Sequence, residues 1–154
     1  MTLALGRTVD ELTVGDRASV TKVVSETDIY LYVGMTGDLN PLYIDEAYAA
    51  NHRYHGRVAP GALTTGLVIA VVSTKLPGPG TILEREDLQF TAPVRPGDTI
   101  TAFAEVVEVI PSRGRVRLRT VCKNQDGVVV LEGEIVVLPP PRVRQAGASP
   151  HGAP

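Results

Sequence analysis

Cysteine is nearly missing from this chain: among 154 residues there is one, Cys122. A lone thiol forms no intramolecular disulfide and cannot build a Cys-based metal centre. An excess of basic charge is missing too. The formal net charge is -2, which leaves no broad positive surface of the kind that grips nucleic-acid phosphates. Long hydrophobic runs are also lacking. The longest apolar-rich stretch, residues 61–72, is interrupted by Thr64 and Thr65 and is too short to span a bilayer. The first residues show no charged segment followed by a long apolar run, so no signal peptide is expected. Together these absences lead us to expect a cytoplasmic protein with neither a nucleic-acid nor a membrane partner. What is present is an ordinary globular composition, 44% hydrophobic and 21% charged, at a length suited to one domain with a real core.

Periodicity divides the chain in two. Residues 17–24 read as a first strand. Ser25-Glu26-Thr27-Asp28 resembles a capping box that starts a helix running to about Val33, with Ile29 and Val33 on one face. Asp45 is a plausible cap for a short helix from Glu46 to Asn51. The main helix runs from Gly61 to about Lys75 and is closed by Pro77-Gly78-Pro79-Gly80. It is apolar nearly all the way round, which predicts burial on every side. From residue 81 the pattern becomes that of strands. Ile100, Ala102, Ala104 and Val106 share one face, as do Val116, Leu118, Thr120 and Cys122, and then Val129, Leu131, Gly133, Ile135 and Val137. Turn residues separate them at 95–98, 111–114 and 124–127. A strand, several helices and then a meander of about four strands is an α+β pattern with an antiparallel sheet wrapped around the long buried helix. The Pro/Gly/Ala-rich residues 139–154 have no apolar period and are expected to form a mobile tail on a domain of residues 1–138.

Chemistry concentrates between the first helix and the long one. Thr36-Gly37-Asp38-Leu39-Asn40-Pro41 packs turn-formers around an acid and an amide, so it reads as an ordered loop. Twenty residues on, Arg57-Val58-Ala59-Pro60-Gly61-Ala62 puts a glycine at the start of the long helix. A carboxylate, a carboxamide and free N–H groups at a helix N-terminus are the parts needed to activate water beside a polarised carbonyl. The same residues also have plainer uses: Asp38 and Asn40 as turn residues bonding nearby backbone, and Gly61 as a helix-start glycine.

Gly37-Asp38-Leu39-Asn40-Pro41, the helix after Asp45 and the glycine-led long helix together resemble the MaoC-like, R-specific enoyl-CoA hydratase/dehydratase family, which has the hot-dog fold. The resemblance extends over residues 17–138. It implies a homodimer that adds water to a 2-enoyl-CoA, or removes it from a 3-hydroxyacyl-CoA, with no cofactor beyond the coenzyme A of the substrate. By that resemblance Asp38 is the water-activating carboxylate, Asn40 the amide holding the water, and Gly61 the backbone N–H that receives the thioester oxygen. Position 43 corresponds to the family's catalytic histidine, and here it is tyrosine. Pro60 stands where the family often has a second histidine. Pro60, Ala62 and Arg57, flanking the helix start, are the candidate substrate-binding residues.

Tyr43 divides the functional reading. A phenol titrates near pH 10, against about 6.5 for imidazole, so at neutrality it donates a hydrogen bond but is a poor base. It either serves as the acid for the α-carbon or packs over a loop that has lost its chemistry. A thioesterase, or a non-catalytic acyl-CoA-binding homologue, is the alternative. His52 and His55 follow the end of the short helix and are expected to face solvent or bind a carbonyl there; alone they make no metal site. Arg115, Arg117, Arg119 and Lys123 form a stripe whose default is a solvated sheet face, with coenzyme A phosphate binding as the other possibility. Cys122 is expected to be a small buried residue.

Overall fold

Buried and less buried residues alternate strictly along residues 99–106 and 115–122, the centre of the molecule's sheet. The computed structural model describes residues 5–142. Its elements are β1 (Arg17–Val23), α1 (Glu26–Thr36), α2 (Pro41–Ile44), α3 (Glu46–Ala50), α4 (Gly61–Thr74), β2 (Ile82–Phe90), β3 (Thr99–Ile110), β4 (Arg115–Lys123) and β5 (Val129–Leu138). All strand pairs are antiparallel in one five-stranded sheet of order β1-β3-β4-β5-β2. The sheet curls around α4, as the hot-dog arrangement requires. Ile100, Val106, Val116, Leu118 and Val137 are fully buried between sheet and helix, facing Val71 and Val72.

Local signals account for the boundaries. Ser25 caps α1 by accepting a hydrogen bond from the Asp28 N–H at 3.2 Å, while the Asp28 carboxylate accepts from Ser25 N at 2.8 Å. The reciprocal pair satisfies donors that the first helical turn leaves free. Lys22 adds a charge-assisted bond to Asp28 at 2.7 Å, and these contacts pull the Asp28 carboxyl down from 3.8 to about 2. Helix α1 continues to Thr36, three residues past the expected end, and stops at Gly37, whose φ of 74° is left-handed.

Four expectations need correcting. The meander contains three strands, β3 to β5; β2 crosses over and pairs with β5 at the far edge. Strand alternation carries no information about which strands become neighbours. Strand β5 has a register shift opposite Cys122 and Lys123, so Val130 and Leu131 are both buried and Val129 is not. Helix α4 is not buried all round: in the single chain Ala62, Gly66 and Ile69 form an exposed stripe opposite Val68, Val71 and Val72. Finally, the domain does not stop at Leu138. Pro140 is buried against Gly80, and Arg142 reaches Asp10 at 3.3 Å; the expected tail beyond it lies outside the described residues.

Candidate active site

The site begins with a run of local hydrogen bonds that fold residues 36–45 back on themselves. The Thr36 hydroxyl accepts from Asp38 N, Asp38 Oδ1 accepts from Asn40 N at 3.3 Å, and Asn40 Oδ1 accepts from Leu42 N at 3.1 Å. Asn40 thereby caps α2, a single turn started by Pro41 that was not foreseen from the sequence. Asp45 ends that turn and caps α3 through Tyr48 N at 2.9 Å, as expected. Asp38 and Asn40 therefore do serve as turn residues, and the turn presents their remaining polar atoms in a fixed arrangement. The second oxygen of Asp38 accepts a long bond, 3.4 Å, from the Tyr32 hydroxyl. The Tyr32 and Tyr43 rings meet edge to face at 6.5 Å.

Beside this turn lies a cavity of about 480 Å³. Asn40, Leu42 and Tyr43 line one side, residues 91–94 of the β2–β3 connection line another, and Gly61 and Thr64 of α4 complete it. Pro60 precedes α4 without any side-chain cap; in the first turn Leu63 N donates to the Pro60 carbonyl at 3.0 Å, and no side chain caps the N–H of Gly61. A Cβ at Gly61 would stand 2.9 Å from the Phe90 ring, so any larger residue there needs that half-exposed ring to move aside. Tyr43 titrates above its ordinary value of 10, first because it is partly buried and then because of the Asp38 charge. The Asn40 side chain draws it part of the way back. Its phenol is thus protonated at neutral pH, a proton donor rather than a base.

The structure brings Asn40, Tyr43 and Gly61 into one cavity; Asp38 does not line it, but its charge acts on Tyr43. It does not bring the other three candidates there. Pro60 is buried at the helix start, and Ala62 belongs to the exposed stripe of α4. Arg57 is buried with its donors engaged by Glu26, Glu46 and the Tyr43 carbonyl, which leaves none of the three nitrogens free for a phosphate. Sequence reading missed Tyr54, Thr64 and Phe90 as cavity residues and Tyr32 as the partner of Asp38. Only the spacing of Thr64, one turn into α4 from Gly61, carried a usable signal. His55 is exposed and His52 leans on the Tyr54 ring at 5.4 Å; neither lines the cavity.

The arginine stripe on β4 faces outward, into a separate concavity on the sheet. Arg115 pairs with Glu84, and Arg117 with Glu108 at 3.0 Å and Glu134 at 2.7 Å. Arg115 and Arg117, two of the four cations of the stripe, are thus met by neighbouring strands, which fits the solvated-face reading. Cys122 is fully buried and burial pushes its thiol up to about 12. No group of three or more potential metal ligands occurs among the described residues.

The family model described as "MaoC like domain" matches residues 10–127. The chain belongs to that family. It is 43% identical over 133 residues to the (R)-specific enoyl-CoA hydratase of Rhodospirillum rubrum, covering 86% of this chain and 92% of that relative. It is 41% identical over 131 residues to the 3-hydroxybutyryl-CoA dehydratase of Methylorubrum extorquens, covering 85% and 83%. Among solved structures, the unliganded R-hydratase PhaJ1 of Pseudomonas aeruginosa superposes with a TM-score of 0.83 at 38% identity, over 97% of each chain. The hot-dog fold and the family resemblance read from residues 17–138 are both borne out.

Proposed function

We propose that this protein is an enoyl-CoA hydratase/3-hydroxyacyl-CoA dehydratase, a hydro-lyase that interconverts a 2-enoyl thioester and its 3-hydroxy counterpart. One observation carries the reading: a single cavity joins the Asn40 amide, the protonated Tyr43 phenol and the uncapped start of α4 at Gly61, with the Asp38 carboxylate alongside. The relatives named as hydratases and dehydratases cover most of this chain.

In hydration, the Gly61 N–H and the N-terminal dipole of α4 receive the thioester oxygen and stabilise negative charge as it develops there. Asp38 takes one proton from a water held with Asn40, and the oxygen bonds to C3. The electron pair of the double bond shifts onto the enolate, and Tyr43 delivers a proton to C2. A tyrosine that titrates above 10 is a weak acid, yet a thioester enolate is a sufficiently strong base to take its proton. Return of the proton from Asp38 to the Tyr43 oxygen restores the site, and dehydration is the same path reversed. The path consists of addition of water oxygen to C3 and proton transfers, with no net oxidation or reduction, so the reading calls for no prosthetic group.

The active species in this reading is a homodimer in the cytoplasm. The exposed stripe of Ala62, Gly66 and Ile69 lies on the chain's most apolar helix, and β2 is an open sheet edge with Ile82 65% and Phe90 54% exposed. No helix of the described residues is long and apolar enough to cross a membrane. Light scattering at micromolar concentration should give twice 16.4 kDa; a species of only that mass would remove the dimer. Mixing with crotonyl-CoA tests the activity. Loss of the enoyl absorbance supports hydration. Release of free thiol would point instead to hydrolysis, and binding with neither change to an inactive homologue.

A further inference from the structure

Arg57 is the only charged side chain buried among the described residues, 8% exposed, and it lies off the cavity wall. A guanidinium is kept from water only where its donors are met. Here Nε donates to the Tyr43 carbonyl at 2.6 Å, Nη2 to Glu26 at 2.7 Å, and Nη1 to Glu26 at 2.9 Å and Glu46 at 3.4 Å. Those partners belong to three different elements: the first residue of α1, the third of α2 and the first of α3.

The backbone around Arg57 is tied just as widely. Val58 N donates to the Leu42 carbonyl at 3.1 Å, Ala59 N donates to the Val94 carbonyl at 2.7 Å, and the Arg57 carbonyl accepts from Arg95 Nη1 at 3.0 Å. Residues 57–59 thus join both sides of the cavity, α2 on one side and the β2–β3 connection on the other. Helix α2 has four residues, none of them buried, and one turn has almost no stability of its own. Something outside it must set where Tyr43 stands.

We propose that Arg57 is a positioning residue: clamped by Glu26, its guanidinium holds the Tyr43 carbonyl and so fixes the Tyr43 ring relative to Gly61. It touches no substrate and transfers no proton. Lysine cannot replace it, because the contact needs a planar fork with a separate Nε–H aimed at the carbonyl. The assignment rests on the hydratase reading for its meaning, and the test separates the two.

The test compares native protein with Arg57→Lys and with Glu26→Gln, the latter at a side chain 53% exposed that is expected to leave the fold intact. Three quantities are read: kcat and KM for crotonyl-CoA hydration, the thermal midpoint, and the titration of Tyr43 by carbon NMR of labelled tyrosine, assigned with Tyr43→Phe. The groups facing Tyr43 are Asp38, Asn40 and Tyr32, and none is altered. Arg57→Lys should lower kcat roughly ten- to hundredfold with KM nearly unchanged, since misplacement of about 1 Å costs on that scale. The Tyr43 titration, above 10 in the native protein, should fall toward the free-phenol value as the ring gains solvent. Glu26→Gln should move both quantities the same way by less, and it carries the test if Arg57→Lys does not fold. A drop in thermal midpoint with kcat and the Tyr43 titration unmoved would reduce Arg57 to a fold contact and overturn the proposal. A rise in KM alone would make it a substrate contact and overturn it equally. If native protein hydrates nothing, the hydratase reading fails and the Tyr43 titration alone decides: movement supports positioning, no movement ends it.

Discussion

The sheet with α4 and the segment of residues 36–60 are held by different forces. In the sheet, Ile100, Val106, Val116, Leu118 and Val137 are wholly buried in a continuous apolar layer, and stability comes from area removed from water. In the segment, only Ala49 and residues 57–60 are buried; order comes from polar fasteners, Asp38 to Asn40, Asn40 to Leu42, Asp45 to Tyr48 and Arg57 to Tyr43. A hydrophobic layer tolerates sliding but not loss of volume. Directional bonds tolerate exposure but not misaiming. The region that must place reacting groups uses the second kind, so damage there should appear in turnover, and damage in the sheet should appear in stability.

The sharpest break of that contrast is Asp38→Asn. It should lower hydration about 10²–10⁴-fold, the usual contribution of a general base, while the thermal midpoint stays put. A mutant that kept most of the native rate would end the carboxylate role. Leu118→Ala is the counterpart. Leu118 is fully buried, so truncation should cost about 2–5 kcal/mol in denaturant unfolding and leave kcat per folded molecule unchanged. Next is Tyr43→His, which installs a group titrating near neutrality at the proton-donor position. A gain of about tenfold, about 1.4 kcal/mol in the barrier, is expected in crotonyl-CoA hydration. Tyr43→Phe should lose the activity, and a phenylalanine variant with native turnover would dismiss the phenol.

The smallest effect sharpens the comparison by placing a polar fastener far from the chemistry. Ser25→Ala should cost about 1 kcal/mol with no change in kcat. The pH dependence follows from the same cap. Asp28 is depressed from 3.8 to about 2 in the fold, so it binds fewer protons folded than unfolded near pH 3. Its stabilisation is present in full above about pH 4 and is lost as pH falls toward about 2. Acid unfolding of Ser25→Ala should be less steep across that window than in the native protein.

Legibility followed the same division. Inward residues of β3 and β4 could be read from alternation because period two belongs to the strand itself. The placement of β2 could not, since its partners lie 41 to 56 residues away, from Phe90 opposite Leu131 to Ile82 opposite Leu138. The β5 shift sits inside the short β4–β5 hairpin, at Cys122 and Lys123, and nothing in the alternation marks it. The Asp38, Asn40, Tyr43 grouping was visible because one short turn builds it. The length of α4 was visible as well, whereas its exposed stripe was not, because an evenly apolar helix has no pattern to show which face the sheet covers. Arg57 was the hardest. In a stretch rich in His and Arg it reads as a cation for substrate, and only the fold brings Glu26, 31 positions earlier, and Glu46 against it.

The sheet order has a consequence for synthesis on the ribosome. Strand β2 is made before β3, yet its only partner in the sheet is β5, the last strand to emerge. A cross-strand Cβ at Gly133 would lie 2.1 Å from the Asp87 carbonyl oxygen, so that pairing closes through one point where the backbones nearly touch. Until residues 129–138 leave the exit tunnel, β2 is an unpaired edge beside a helix of 14 mostly apolar residues. The whole domain therefore waits on its final strand, and a nascent chain stalled before it would be the most aggregation-prone form this protein takes.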